Sequence, residues 1–387
     1  MSRGMDRRSL DVLRILQARF VGTLLCVLVA AFGVAPAVAQ ETPKPAALAA
    51  SDAAAESVAT EAIAVEAVGA IRIPVERLDR SVAFFERVLT FERVGERAID
   101  GAELARVDGL VDARARAVRM RLGDEAVDLV EFEQPRGRSF PSDSRSNDRW
   151  FQHIAIIVSD MDRAYARLRE HDVVAASVDG PQTLPEWNKN AAGIRAFYFR
   201  DPDGRFLEIL QFPAGKGDAK WQRAAAVKSD ASGASDAMAR ALFLGIDHTA
   251  IVVANTDASL RFYRDTLGMR VVGGSENHGP EQQRLNNVCG ARLKITTLKA
   301  QRGPAIELLE YLQPRDGRPY PEDTRINDLL SWQVELLATE TRIDPNAAAQ
   351  TEARERSGVE TGPRAAVVPR YPKLLRDPDG HVLRFVD

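Results

Sequence analysis

Short runs of alternating apolar and polar positions recur along the chain and predict β-strands. In the run that begins at His153, the residues Ile154, Ile156 and Val158 share one apolar face, which we expect to pack on helices. His153 and the small Ala155 share the opposite face, where a small side chain leaves room beside the histidine. The run therefore predicts a strand with one face in the core and the other on a cavity.

These strands belong to a unit that occurs four times. Each unit reads as a strand, an acidic turn, an amphipathic helix such as residues 259–267, and further short strands. The sequence "RDPDG", at Arg200 and again at Arg376, predicts a tight turn before the last strand. The pattern predicts an α+β fold of four βαβββ modules. Modules 1 to 4 span about 66–134, 150–213, 244–313 and 330–387.

An internal duplication relates the modules. The segment that starts at Ala70 resembles the one at His248, and "EFEQPRGRSFPSDSRSND" at Glu131 resembles "EYLQPRDGRPYPEDTRIND" at Glu310. Both repeats recur at a spacing of roughly 178 residues, which indicates one duplicated domain. We therefore predict a first domain over 66–213, a linker over 214–243 and a second domain over 244–387.

The first 39 residues read as an export signal. Arginines lead into an apolar run from Val21 to Val34, and Ala37, Val38 and Ala39 form a small-residue cleavage site. The run is shorter than the roughly 20 residues that span a bilayer. We expect an exported protein, periplasmic or secreted, with no membrane anchor after cleavage and a disordered tether over 40–65.

Charge and cysteine content narrow the partner classes. The chain has a formal charge of −3, and loss of the signal, with five Arg and two Asp, leaves −6. This acidity argues against nucleic-acid or anionic-membrane partners, which favour basic patches. Because Cys26 lies in the signal, the mature chain keeps Cys289 alone. An internal disulfide is therefore not expected, and an apolar core must hold the fold.

The motif "H-x-A-[IV]-x-V" at His153 and His248, combined with a "DPDG" turn and a following apolar strand, resembles the vicinal oxygen chelate (VOC) superfamily. That superfamily includes glyoxalase I, extradiol dioxygenases, methylmalonyl-CoA epimerase and bleomycin or fosfomycin resistance proteins. The resemblance covers nearly all of the chain after about residue 66. It implies two VOC domains, mixed sheets curled into cups, and a divalent metal held by the first and last strands of paired modules.

Carried over residue by residue, the ligand positions form two sets. Modules 2 and 3 offer the first set, which we name the central cup: His153, Glu208, His248 and Glu307. Modules 1 and 4 offer the second set, which we name the outer cup: Ala70, Asp128, Gln333 and Arg384. Only pairing across the domains, as in glyoxalase I, completes a two-His, two-Glu set. In the outer cup, we expect Arg384 to pair with Asp128.

The resemblance implies one divalent ion (Zn, Ni, Fe or Mn) and a small-molecule substrate at the central cup. Either Glu208 or Glu307 would be the base that moves a proton next to a metal-bound oxygen, and the sequence leaves that choice open. This predicts a glyoxalase-type lyase or isomerase. An extradiol-type ring-cleavage dioxygenase and a non-catalytic, resistance-type binding protein remain alternatives. We expect a monomer because the two domains mimic a dimer.

Other polar and aromatic residues are secondary candidates. His171, His278 and His381 lack the strand context of the other two histidines and are predicted at the surface. The loop over residues 184–193 is a candidate cover for a cup. Candidates for a pocket wall are Trp187, Tyr198, Arg292 and Trp332.

Overall fold

The structure, a computed structural model, describes residues 63–222, 242–340 and 373–386. The predicted signal, nearly all of the tether and most of the linker lie outside these residues. The strands are β1 Ile63–Pro74, β2 Glu92–Ile99, β3 Arg114–Leu122, β4 Glu125–Gln134, β5 Gln152–Val158, β6 Gln182–Thr183, β7 Arg195–Arg200, β8 Phe206–Gln211, β9 Phe243–Val253, β10 Arg270–His278, β11 Arg292–Lys299, β12 Ala305–Gln313, β13 Gln333–Glu340, β14 Leu374–Arg376 and β15 Val382–Val386.

The helices are short and few in the described part of the chain. They are α1 Leu78–Arg87, α2 Met161–Glu170, α3 Thr256–Leu260 and α4 Pro280–Asn286. Helix α3 continues as a π-helix over Arg261–Thr266, and a helical turn over Gly101–Glu103 leads into a π-helical turn over Leu104–Asp108. No helix among the described residues is long and apolar enough to cross a membrane.

The strands form two mixed sheets, and each sheet takes modules from both halves of the chain. The central sheet has the order β10-β11-β12-β9-β5-β8-β7-β6, and the outer sheet has the order β14-β15-β13-β1-β4-β3-β2. Antiparallel pairs join the modules at the middle of each sheet, β5 with β9 and β1 with β13. The topology confirms the predicted pairing of module 2 with module 3 and of module 1 with module 4. It also confirms the α+β class.

The alternation in β5 sorts its side chains as predicted. Ile154, Ile156 and Val158 are buried in one apolar cluster with Met161 and Leu168 of helix α2. Burial of apolar area stabilises such a cluster by roughly 25 cal/mol per Å². Because side chains alternate along a strand, the same packing turns the other face of β5 toward the central cup.

Helix α3 begins three residues before the predicted start at residue 259. The side chain of Asn255 accepts a hydrogen bond from the backbone of Ala258 (2.9 Å), and Glu310 accepts one from the backbone of Thr256 (3.0 Å). These acceptors satisfy N–H groups that the first turn of a helix leaves free. The helix therefore starts at Thr256.

Each RDPDG turn also joins the two sheets. Asp203 accepts a hydrogen bond from the backbone of Glu76 after β1 (3.1 Å), and Asp379 accepts one from Ala254 after β9 (3.0 Å). The residue that follows the turn is buried in both copies. In the second copy it is His381, which is 3% exposed and places Nε2 3.0 Å from the carbonyl oxygen of Val252.

The surface prediction for His381 was therefore wrong, because the turn buries the position that follows its glycine. The predictions for His171 and His278 are confirmed, since both are exposed.

The two repeated segments that begin with Gln-Pro-Arg interlock, and we name this contact the clasp. Arg138 donates to the Asp328 carboxylate from Nε (3.0 Å) and Nη2 (2.7 Å), and Arg318 donates to Asp148 over the same distances. A Cβ atom on Gly137 would lie 1.8 Å from a backbone oxygen of the opposite segment, so only glycine fits there. The clasp fixes the entries to β5 and β13, which are the first strands of modules 2 and 4.

Candidate metal centre

The four predicted residues of the central cup lie on one face at the middle of the central sheet. In each module the first strand pairs in parallel with the last, so the histidine strand and the glutamate strand are neighbours. The register partners are His153 with Ala250, His248 with Ala155, Glu208 with Ala155, and Glu307 with Ala250. Because both partners are alanines, the larger side chains have room to converge above them.

Three of the four side chains meet at one point. The distance from Glu208 Oε2 to His153 Nε2 is 3.0 Å, and the distance to His248 Nε2 is 3.6 Å. One ligand atom from each residue lies within 4.8 Å of the others. Ligands bound at about 2.1 Å stand about 3.0 Å apart at right angles and about 3.4 Å apart at a tetrahedral angle. The spacing therefore suits three ligands of one ion.

His153 supplies the observation that tests whether a metal fits. Its side chain is almost fully buried, yet neither ring nitrogen has a hydrogen-bond partner among the described residues. The 3.0 Å approach to Glu208 has the distance of a hydrogen bond without its angle. A buried polar nitrogen without a partner is costly. A divalent ion at the common point would accept its lone pair, and two imidazoles with one carboxylate suit Zn, Fe, Mn or Ni.

The two glutamates of the cup are not equivalent. Glu307 is outside the three-residue group, although its Oε2 lies 3.4 Å from His248 Nε2. Its other oxygen accepts a hydrogen bond from Thr297 (2.8 Å), and its side chain is 19% exposed. Glu208 is 4% exposed and central to the group. The geometry thus separates a buried candidate ligand from a more accessible carboxylate beside it.

Asp247 orients His248, and sequence reasoning missed it. Its Oδ2 lies 3.1 Å from His248 Nδ1, and its Oδ1 accepts a hydrogen bond from the indole N–H of Trp221 (2.8 Å). Despite burial, which raises it, the pKa of Asp247 is lowered by these contacts, first by the hydrogen bond with His248. A carboxylate on the far ring nitrogen is the usual support of a metal-bound histidine. The adjacent pair Asp247 and His248 was the available signal.

The electrostatics of the protein groups in the site favour a cation. Burial alone would lower the pKa of His248, but the carboxylates of Glu307, Asp247 and Glu208 outweigh it and raise the pKa to about 9. A proton on His248 therefore partly balances the acidic groups. An ion would take the place of that proton, since metal binding requires the neutral imidazole.

The cup opens into a cavity of about 710 Å³. Leu184, Asn190 and Ala191 of the loop over 184–193 line it, so this loop borders the central cup, and its role as a cover stays a prediction. Tyr198 also lines it and is the register partner of Glu208. Burial, and then the charge of Glu208, raise the pKa of this tyrosine well above its usual range, so it keeps its proton.

Of the four predicted wall residues, only Tyr198 lines this cavity. Trp187 is 52% exposed and stacks on His278 with a centroid distance of 4.2 Å. Arg292 is exposed and pairs with Glu276. Trp332 is buried in the apolar core.

The outer cup contradicts one prediction. Arg384 does not pair with Asp128: its Nε donates to Gln333 Oε1 (2.6 Å), and its Nη2 bonds to Asp108. The helical turns after β2 carry Asp108 to this position. Asp128 is already engaged by its register partner Arg119, which donates two hydrogen bonds to it (2.7 and 2.8 Å). Arg384 and Asp128 thus each have a partner of opposite charge, but not each other as predicted.

The chain is similar to several known proteins and to the profile of one superfamily. A 2-epi-5-epi-valiolone epimerase from Actinomyces sp. is 34% identical over 146 residues, which are 36% of this chain and 76% of that protein. The crystal structure of glyoxalase I from Zea mays aligns with 84% of this chain and 92% of its own, at 15% identity and a TM-score of 0.47. The profile of one superfamily matches residues 67–209 and 245–385, most of the chain. The chain therefore belongs to the Glyoxalase/Bleomycin resistance protein/Dioxygenase superfamily, as its sequence resemblance predicted.

Proposed function

We propose that the chain is an exported, metal-dependent isomerase or lyase of the glyoxalase type. It would move a proton next to a carbonyl oxygen of a small, oxygen-chelating substrate. The observation that carries this proposal is the buried group of His153, Glu208 and His248, in which both ring nitrogens of His153 lack a hydrogen-bond partner among the described residues. Membership of the superfamily and similarity to an epimerase support proton transfer as the chemistry.

In this proposal His153, Glu208 and His248 hold the divalent ion, which when bound polarises a substrate oxygen as a Lewis acid. Glu307 acts as the base. Its side chain is more exposed than that of Glu208, and Thr297 holds one of its oxygens while the other faces the ligand group. A carboxylate in this position can take a proton from a carbon atom and return it without leaving the site.

Tyr198 gives the site a hydrogen-bond donor. Its raised pKa keeps the hydroxyl protonated at neutral pH, and its ring lies beside His153 with a centroid distance of 5.0 Å. The phenol can therefore donate to a substrate oxygen next to the ligand group. The rest of the cavity offers both apolar side chains, such as Leu285 and Leu309, and polar ones, such as Asn190, Asn277 and Gln282, which could contact a substrate with both kinds of groups.

A ring-cleavage dioxygenase is the second candidate, and one observation favours it. The grouped ligands are three and not four, and two histidines with one carboxylate are the ligand set of non-haem iron oxygenases. Glu307 argues for proton transfer, because a second carboxylate 3.4 Å from His248 is a base that ring cleavage at such a triad does not require.

The test separates the two glutamates. The purified chain is analysed for bound metal, and hydroxy ketones, both open-chain and cyclic, are incubated with it in D₂O while proton NMR follows carbon-bound deuterium. We expect Glu307→Gln to keep the metal and slow exchange by roughly 10² to 10⁴, the usual contribution of a general base. We expect Glu208→Gln to lose the metal. Export is tested separately, by finding Gln40 as the first residue of the secreted protein.

Two results would contradict the proposal. A wild-type chain without bound metal after expression in metal-supplemented medium would remove its basis. Oxygen uptake with catechols and Fe(II), in the absence of any deuterium exchange, would establish the dioxygenase instead.

A further inference from the structure

The outer cup repeats the central cup with hydrogen-bond donors in place of metal ligands. Gln333 is the register partner of Arg72 in the outer sheet, as His153 is of Ala250 in the central sheet. Similarly, Arg384 is the partner of Glu335, as Glu208 is of Ala155. The equivalent positions are therefore Gln333 for His153, Arg384 for Glu208, and Arg72 for Ala250. The central cup thus presents acceptors that suit a cation, whereas the equivalent positions of the outer cup present hydrogen-bond donors.

Arg72 has a free binding edge. The side chain is 2% exposed, and its Nε and Nη2 atoms have no hydrogen-bond partner among the described residues. These two nitrogens carry the parallel N–H groups that bind both oxygens of a carboxylate. Arg119 in the same sheet uses this pair of atoms to bind Asp128, at 2.7 and 2.8 Å. No carboxylate of the described residues bonds to the same edge of Arg72.

Gln333, the register partner of Arg72, offers a third donor on the neighbouring strand. It is fully buried, and its Nε2 also lacks a partner in the described part of the chain. Its Oε1 accepts from Arg384, so the amide orientation is fixed with the N–H₂ group left over. Asp108 Oδ2 is an unpartnered acceptor in the same cluster, while its other oxygen bonds to Arg384.

Burial raises the cost of leaving this edge of Arg72 without an acceptor. Burial, and then the like charge of Arg384, lower the pKa of Arg72 to about 10. Three carboxylates accompany the three arginines of the cluster, but Asp108 bonds to Arg384 while Asp128 and Glu335 bond to Arg119, and none of them bonds to the free edge of Arg72. Buried N–H groups without an acceptor are unfavourable, and the oxygens of a bound carboxylate would offset this cost.

We propose that the outer cup encloses a small carboxylate, of the size of formate or acetate. It is held by both N–H groups on the free edge of Arg72, with the Gln333 amide as third donor. Two parallel N–H groups match the two coplanar oxygens of a carboxylate, and full enclosure of the donors restricts the ligand to a few atoms. The occupied outer cup then stabilises the fold and leaves the chemistry to the central cup.

The test measures stability of the full-length chain after metal removal, so that no ion in the central cup can bind the carboxylate. Equilibrium urea unfolding is followed at constant ionic strength, with formate or acetate replacing chloride. We expect the unfolding midpoint to rise with carboxylate concentration and to saturate. In Arg72→Lys, which keeps the charge and loses the paired N–H groups, the dissociation constant should rise roughly tenfold or more. His153→Ala, the control in the central cup, should leave it unchanged.

Several results would overturn the proposal. The first is an unfolding midpoint that is the same in formate, acetate and chloride. The second is an equal dissociation constant in Arg72→Lys and wild type. The third is equal stabilisation by sulfate or phosphate, which would show a general anion effect. If Arg72→Lys does not fold, Gln333→Leu replaces it, and unchanged carboxylate binding in that variant would likewise refute the site.

Discussion

The central and outer cups have the same strand arrangement and opposite chemistry. In both, the first strands of two modules pair antiparallel and each first strand pairs in parallel with its own last strand. Where the central cup has His248 and Glu208, the outer cup has Ala70 and Arg384. The duplicated backbone therefore fixes where side chains converge, and a few substitutions decide whether that place suits a cation.

The cups also differ in how fully they satisfy their acidic groups. In the outer cup, Asp128 receives two hydrogen bonds from Arg119 on the neighbouring strand. In the central cup, the corresponding Glu307 receives one bond from Thr297, and its other oxygen, 3.4 Å from His248 Nε2, is free of hydrogen bonds from the described residues. A carboxylate that must hold or move a proton needs such a free oxygen, whereas a structural carboxylate is more stable when paired.

The largest expected effect separates the two cups directly. His153→Ala should reduce metal affinity by at least about a hundredfold, because it removes one of three converging ligands. Gln333→Ala, the change at the equivalent outer position, should leave metal affinity unchanged. Competitive titration with a chromogenic chelator measures both variants. An equal loss of metal affinity in both variants would show that the metal site is not confined to the central cup.

The next largest expected effect concerns Asp247, which supports the candidate ligand His248. Asp247→Asn should weaken metal binding by roughly 10- to 100-fold, since loss of a carboxylate behind a ligating histidine typically has that effect. The amide keeps the volume, and Trp221 can still donate to its oxygen. Asp218→Asn is the control, because Asp218 lines the cavity, forms an ion pair with Lys299, and accepts a hydrogen bond from the backbone of Lys220 (3.0 Å) through an oxygen that asparagine keeps. If Asp218→Asn lost as much metal affinity, the loss in Asp247→Asn would come from removing a negative charge near the site and not from the orientation of His248.

Much of this arrangement could be predicted from the sequence because it depends on repetition. The duplication identified the modules, and the distribution of two histidines over modules 2 and 3 selected the crossed pairing that the sheets confirm. Strand alternation placed His153 opposite the core face, since side-chain direction in a strand follows from position alone.

The rest depended on contacts between segments far apart in the chain. Asp108 comes from a helical turn whose position no periodicity reveals, so its ion pair with Arg384 was missed. His381 was assigned to the surface because the sequence does not show that its turn docks against β9. The choice between Glu208 and Glu307 likewise needed distances, because both occupy the same position in their modules.

The smallest expected effect tests whether the two cups are held independently. Arg318 binds Asp148 just before β5 of the central cup, and Arg138 binds Asp328 before β13 of the outer cup. Arg318→Met and Arg138→Met should each lower the free energy of unfolding by about 1 to 3 kcal/mol, a range reduced because both arginines are more than a third exposed. Only Arg318→Met should also weaken metal binding, by a few-fold, because it loosens the strand that carries His153.

The pH dependence gives this last prediction its control. Burial raises the pKa of Asp148, but hydrogen bonds, first those from Arg318, outweigh it and hold the pKa below its usual range. A carboxyl group with a lowered folded-state pKa contributes stability above its unfolded pKa of about 3.9 and loses it as the pH falls through the folded value. The stability gap between wild type and Arg318→Met in urea unfolding should therefore be full at pH 5 to 7 and close below about pH 4. A gap that persists at low pH would mean that Arg318 acts through packing. An equal loss of metal affinity in Arg318→Met and Arg138→Met would mean that the clasp supports the two cups jointly.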